Sequence, residues 1–362
     1  MPRYVVHIGP HKTGSTYLQT RFIQLRPRLK SSGVIHPAIW QEDGEVSHVG
    51  LFRRLRARDP RLTPEFAVLN RSSYEFVVLS SEDLIDLTTD QVGQLATLLD
   101  GRPVDIVFYC RRWSELLISG WAEKVKHGEV LPLPEYLAEA AINPFSSEVL
   151  NFRLRLDRFA GVFGRDCLHL VSYNHLGEQD YDLFEHFARR FLGQHELPAL
   201  PPERLNTSLD AVDTETIRIL QVLHRSRAGA ADMRLAAEYL RSRHLPDARA
   251  VNDAMRHDLR CAYLDEDGPG FASLHRELFG EYGDRLVAPR PEGVLFKPKA
   301  TSLPFVGQDY LLTAGVLAAI ERLYGELTSR VERERPPDPV ERPQTMSIAS
   351  PTAISPPVTT SA

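Results

Sequence analysis

The sequence predicts an α/β fold, with a mostly parallel central sheet flanked by helices and an added helical C-terminal region. Three observations predict it. The runs Phe76–Ser80 and Val104–Cys110 are continuously apolar and of strand length, as in strands buried on both faces of a parallel sheet. Strand-length runs alternate with helix-period segments from Arg3 to Gly193. The first strand runs directly into a glycine-bounded turn and a helix, a geometry that gathers backbone amides around one point.

Arg3–Ile8 reads as the first strand, and Gly14 to about Arg26 as a helix through Leu18, Phe22 and Leu25, with Pro27 near its end. Gly33–His36 is a short strand closed by Pro37. A polar loop from Gln41 then leads to a helix through Val49, Phe52 and Leu55. A helix through Leu95, Leu98 and Leu99 separates the two apolar strands, and another through Leu116, Leu117 and Trp121 follows the second. Phe152–Phe163 is amphipathic; Cys167–Tyr173 is a strand; Tyr181–Leu192 is a helix stopped by Gly193. Residues 206–334 are mostly helical, with a Gly/Pro-broken patch from Gly283 to Pro304. One domain over residues 1–334 is expected, followed by a disordered Pro/Ser/Thr-rich tail, 335–362.

Composition narrows the function classes. Over 362 residues, 43% apolar and 25% charged describe an ordinary globular chain. A net charge of −5 gives no general attraction to nucleic acid or to an anionic membrane, so any anion site must be local. No apolar run is long enough to span a bilayer, and the N-terminus lacks a signal-peptide core. Cys110, Cys167 and Cys261 match no zinc or redox spacing. A cytoplasmic, metal-independent enzyme is the expectation.

The turn His11-Lys12-Thr13-Gly14-Ser15-Thr16-Tyr17-Leu18 carries the chemistry. Gly9 and Gly14 have P-loop spacing, yet the nucleotide-hydrolase pattern wants lysine directly after the second glycine, where this chain has Ser15. No apolar strand ends in an aspartate suited to magnesium. The segment resembles the 5′-phosphosulfate loop of sulfotransferases that use 3′-phosphoadenosine 5′-phosphosulfate (PAPS). The resemblance covers roughly the first two hundred residues. It implies a P-loop nucleotide-binding-like fold in which Thr13, Gly14, Ser15 and Thr16 hold the 5′-phosphate. Lys12 would stabilise charge on the bridging oxygen, and adenosine 3′,5′-bisphosphate would be the product. Tyr17, where the family has an aromatic, would stack on adenine. Sulfuryl transfer needs mainly positioning and electrostatics, and a lysine supplies the charge that a metal supplies in kinases.

The family holds the 3′-phosphate with an arginine after a later strand and a serine eight positions on, at the start of a helix. Here these are Arg111 and Ser119, with Arg112 as a shifted alternative. Arginine grips phosphate bidentately, and a hydroxyl reaches the same oxygens. His169–Leu176, with Phe187–Gly193, is similar to a structural strand, turn and helix end of the family, with Asn174 and His175 in place of acids. The family's Arg-Lys-Gly loop is missing. Phe296-Lys297-Pro298-Lys299 is a candidate substitute but reads first as an exposed loop.

Transfer needs a proton acceptor. Glu82, just past the strand Phe76–Ser80, stands where ligands bind in open α/β sheets, and it equally suits a helix start. His11 and His48 are weaker candidates, each read first as a surface or structural residue. Trp113, Trp121 and Tyr136 read as packing residues. The acceptor, a small molecule or carbohydrate, would meet loops such as Gln41–Gly50 and Lys126–Pro134. A P-loop small-molecule kinase and a non-catalytic nucleotide-binding relative are the alternatives.

Overall fold

In a computed structural model of the protein, residues 1–42, 44–196, 209–243, 245–254, 257–259, 261–287, 295–299, 303–305 and 313–334 are described. The expected tail, 335–362, lies outside the described residues. Five parallel strands form the central sheet: β1 (Arg3–His7), β2 (Val34–Ile35), β3 (Phe76–Ser80), β4 (Val104–Cys110) and β5 (Leu168–Ser172), in the order β2-β3-β1-β4-β5. β1 is central and, after Arg3, buried; it is apolar at Tyr4, Val5 and Val6 and ends on the buried His7. Tyr4, Val6 and Ile8 enter one core while Val5 enters the other.

The helices are α1 (Ser15–Gln24), α2 (Arg26–Ser31), α3 (Val49–Ala57), α4 (Leu62–Asn70), α5 (Thr89–Leu99), α6 (Trp113–Lys126), α7 (Leu133–Ile142), α8 (Phe152–Phe163), α9 (Tyr173–Glu178) and α10 (Leu183–Leu192). They cover both faces of the sheet. One core gathers α1, α2, α9 and α10 through Leu18, Phe22, Leu29, Leu176, Phe184 and Phe187. The larger core, opposite, is built on Leu51, Phe66, Leu95, Trp121 and Phe152. Pro27 does not end the first helix. The chain breaks at Leu25, and Pro27 occupies the first turn of α2, where its missing N–H costs nothing. The expected loop 126–134 is shorter than its sequence suggests, because Leu133 already begins α7.

Beyond the sheet come α11 (Ala211–Ala228), α12 (Met233–Arg241), α13 (Pro246–Ala254), α14 (Pro269–Tyr282) and α15 (Ala314–Arg333), as the helical periodicity predicts. An antiparallel pair, β6 (His257–Leu259) with β7 (Leu303–Phe305), was not foreseen. This part is fastened to α6. Gln221 donates to the Val125 carbonyl at 2.8 Å, and Asp265 accepts from the Ser114 amide at 2.8 Å and from its hydroxyl at 2.9 Å. A buried carboxylate thus caps the N-terminus of α6 from a distant segment. No described helix is long and apolar enough to cross a membrane.

Candidate functional site: an anion loop at the centre of the sheet

The strand order reverses direction at β1, and the crevice at the carboxyl ends of strands around such a point is where open α/β sheets bind ligands. The turn after β1 fills that place. Gly9 has φ +94°, and a Cβ there would sit 3.1 Å from the Glu82 backbone. Gly14 has φ +76°, and its Cβ would collide with Leu183 at 2.8 Å. Only glycine fits either position. Lys12 is itself left-handed, at φ 67°, an uncommon state for a lysine and of a kind that clusters at functional turns.

Helix α1 starts from Gly14 with no side-chain cap, and the first amide bonded back to the turn is that of Leu18, on Gly14 O at 3.0 Å. The preceding amides therefore face the turn with the positive end of the helix behind them. Not every residue of the turn is available to a ligand. The Thr13 side chain is fully buried and donates to the Pro10 carbonyl at 2.7 Å, so its hydroxyl locks the turn. Ser15 is nearly as buried, whereas Thr16 and Tyr17 are half-buried. The Tyr17 hydroxyl bonds to Asp182, and Arg21 lies 5.0 Å over its ring, so that face of the ring is covered.

Arg111 follows β4 directly and donates to the Lys12 carbonyl, joining the second predicted anion group to the loop backbone. Its guanidinium also lies 3.3 Å from Glu115 and 5.6 Å over the Tyr173 ring. Arg112 points elsewhere. It is buried, paired with Glu178, and donates to the Lys297 carbonyl at 2.6 Å, which makes it a structural tie. Ser119 does not stand at a helix start as expected. Helix α6 begins at Trp113, its N-terminus already satisfied by Asp265, and Ser119 is half-buried in the second turn. It nonetheless shares a face with Arg111's partner, because Glu115, Ser119 and Glu123 follow at four-residue spacing.

Two features of this face escaped the sequence. Lys12 reaches across the crevice to Glu123, Nζ to Oε2 at 2.8 Å. The segment around Phe296 is not an exposed loop: Phe296 is 1% exposed, and Lys299 brings its ammonium to 3.4 Å from Glu115. Glu115 thereby joins Arg111, Arg112, Lys299 and Asn174, the last at 2.7 Å. Burial pulls its carboxyl up, but Arg111, Asn174, Lys299 and Arg112 outweigh burial and hold it below the ordinary range. The i, i+4 spacing of Arg111 and Glu115 was the local signal the sequence offered for this cluster.

Glu82 opens a short 3-10 turn after β3, capped by Ser81, so the helix-start and crevice roles coincide. Its Oε2 accepts from Gln19 Nε2 at 2.9 Å. Burial raises its pKa, while the Gln19 bond, its own backbone N–H, His11 and His7 pull it down further, leaving it ionised at neutral pH. His11 is exposed and lies 3.9 Å from Asp83. His48 does not reach the crevice: fully buried, it accepts from the Ser80 amide at 3.1 Å, and its Nε2 lies 2.7 Å from the Pro37 carbonyl. Trp113 and Trp121 are core residues. Among the described residues, no group of three or more His, Cys, Asp or Glu side chains could hold a metal ion.

No family model matches the chain, and neither a curated protein nor a solved structure matches it. Its function is therefore argued from the site itself.

Proposed function

We propose that the protein is a sulfotransferase that moves a sulfuryl group from PAPS to a hydroxyl or amine of a small-molecule or carbohydrate acceptor. One observation carries this. The Lys12 loop, Glu82 and Arg111 follow three adjacent strands, β1, β3 and β4, and meet at their carboxyl ends.

The uncapped start of α1 suits the 5′-phosphate, and Arg111, with Ser119 and Lys299 on the same side, suits the 3′-phosphate. The acceptor oxygen attacks sulfur as the bond from sulfur to the phosphate oxygen breaks. Glu82 takes the acceptor's proton, and Lys12 balances the charge gathering on the departing bisphosphate. The fold would then be of the P-loop nucleotide-binding kind. The kinase alternative needs lysine immediately after Gly14, and the chain has Ser15 there.

The test is ligand-induced stabilisation. Adenosine 3′,5′-bisphosphate is expected to raise Tm by more than adenosine 5′-monophosphate at equal concentration. Equal shifts, or none, would remove the 3′-phosphate pocket and with it the proposal.

A further inference from the structure

Glu123 has no part in the chemistry above, yet it holds the lysine on which that chemistry depends. Its carboxylate meets three cationic or titratable groups: Lys12 at 2.8 Å, Lys126 at 3.2 Å and His127 at 3.8 Å. It stands in the last turn of α6, the end of the helix dipole where a carboxylate is unfavourable, and its i+3 and i+4 neighbours Lys126 and His127 offset that cost without needing Lys12. Burial pulls its carboxyl up and Lys12, then Lys126, pull it down by more. It is ionised whenever an anion would arrive.

An ammonium that must grip an anion is thus already occupied by one. Bound phosphate or sulfate at the loop would place like charges against Glu123 and compete for the same Nζ protons. Glu115, on the same face of α6, cannot yield in this way, because it is 15% exposed and fixed by Arg111, Arg112, Lys299 and Asn174. Glu123 is 37% exposed and keeps Lys126 and His127 when Lys12 departs.

We propose that Glu123 is a displaceable counter-charge, which holds Lys12 in the empty site and surrenders it to the entering anion. The inference rests on the anion-loop part of the proposed function and not on the identity of the donor. It makes Glu123 a positioning residue that sets anion affinity through Lys12.

Calorimetric titration of wild type, Glu123→Gln, Lys12→Ala and the double variant with adenosine 3′,5′-bisphosphate, adenosine 5′-monophosphate and inorganic phosphate tests it. Glu123→Gln is expected to bind each anion about three- to tenfold tighter at low salt, with the gain shrinking at high salt. The gain should vanish in the Lys12→Ala background. Unchanged or weaker binding by Glu123→Gln overturns the proposal, and so does an equal gain without Lys12, which would mean plain repulsion. Binding of no anion by any of the four proteins also overturns it. The preference of wild type for the bisphosphate over the monophosphate tests the sulfotransferase proposal separately, and either result can occur without the other.

Discussion

Glu115 and Glu123 lie two turns apart on one face of α6, and the protein surrounds them differently. Glu115 is enclosed by three cationic side chains and an asparagine drawn from three segments of the chain: the link between β4 and α6, α9, and residues 295–299. Glu123 faces the crevice with Lys12 and two neighbours from its own helix end. The first arrangement ties the helical region to the sheet; the second leaves a charge in the crevice where the proposed ligand would enter. Partner number and exposure, not residue type, separate a structural ion cluster from an exchangeable one.

The largest effect expected of a single substitution comes from the Glu123 end. If the proposed transfer is the activity, Lys12→Ala should lower it about 10³-fold, on the order of 4 kcal/mol of lost stabilisation of developing charge. Its melting temperature should stay within a degree or two of wild type, because the Lys12–Glu123 pair is more than a third exposed on the Glu123 side and such pairs contribute little. Sulfuryl-transfer assays and thermal melts measure both. A variant that transfers normally, or one that unfolds, would erase the contrast with Glu115.

Acid separates the clusters from a third set of ionisable groups, the buried histidines. His7 and His48 are fully buried, and burial lowers each to about 4. His36 stacks on His48 at 4.2 Å between ring centroids, and burial, His48 and Arg26 lower it too. Unfolded histidine takes up a proton near pH 6.5 and the folded rings do not, so the unfolded chain binds more protons below that pH. The stability these rings confer is complete above pH 6.5 and is lost as pH falls toward 4, on the order of 3 kcal/mol for each of His7 and His48. Glu115 and Glu123, held below the ordinary carboxyl value, should begin to contribute to acid loss only below about pH 4.5. Denaturant melts from pH 8 to 4 should therefore show the decline beginning near 6.5. A flat curve down to pH 5 would mean the histidines are not buried as neutral rings.

Next in size is Glu115→Ala. Removing the carboxylate leaves Arg111, Arg112 and Lys299 facing one another in a half-buried place, which should cost about 2 kcal/mol in chemical denaturation. The same truncation at Glu123 should cost no more than about 1 kcal/mol. If the two costs were equal, the distinction between a fixed and an exchangeable carboxylate would fail.

How much of this was legible follows from the range of each interaction. The strands Phe76–Ser80 and Val104–Cys110 and the helix Phe152–Phe163 were read with their observed ends, because continuous apolar runs and helical periodicity are local. Gly9 and Gly14 announced a turn because glycine takes left-handed φ freely, whereas the left-handed φ of Lys12 had no sequence signal. Glu123 gave no local signal, since its meaning depends on a lysine 111 residues away. Asp265 capping α6, and Lys299 joining Glu115, are equally distant. The helix through Leu116, Leu117 and Trp121 was read correctly; what failed was the placement of Ser119 at a helix start, which came from the resemblance and not from this chain's periodicity.

The smallest prediction concerns Ser119, which sits midway between the clusters, about 6 Å along the helix axis from each carboxylate. If the stripe is divided into a fixed phosphate-facing end and an exchangeable sulfuryl-facing end, Ser119 is the boundary. Ser119→Ala removes one hydroxyl and no charge, so folding stability should be unchanged within about 0.5 kcal/mol. The loss should appear in discrimination. Bisphosphate affinity should fall roughly fivefold, the equivalent of about 1 kcal/mol for one hydrogen bond, while monophosphate affinity should not move. Parallel losses for both nucleotides would put Ser119 on the loop side of the boundary and shift the 3′-phosphate toward Lys299. No loss for either would leave Arg111 and Lys299 as the cations of that end without a hydroxyl between them.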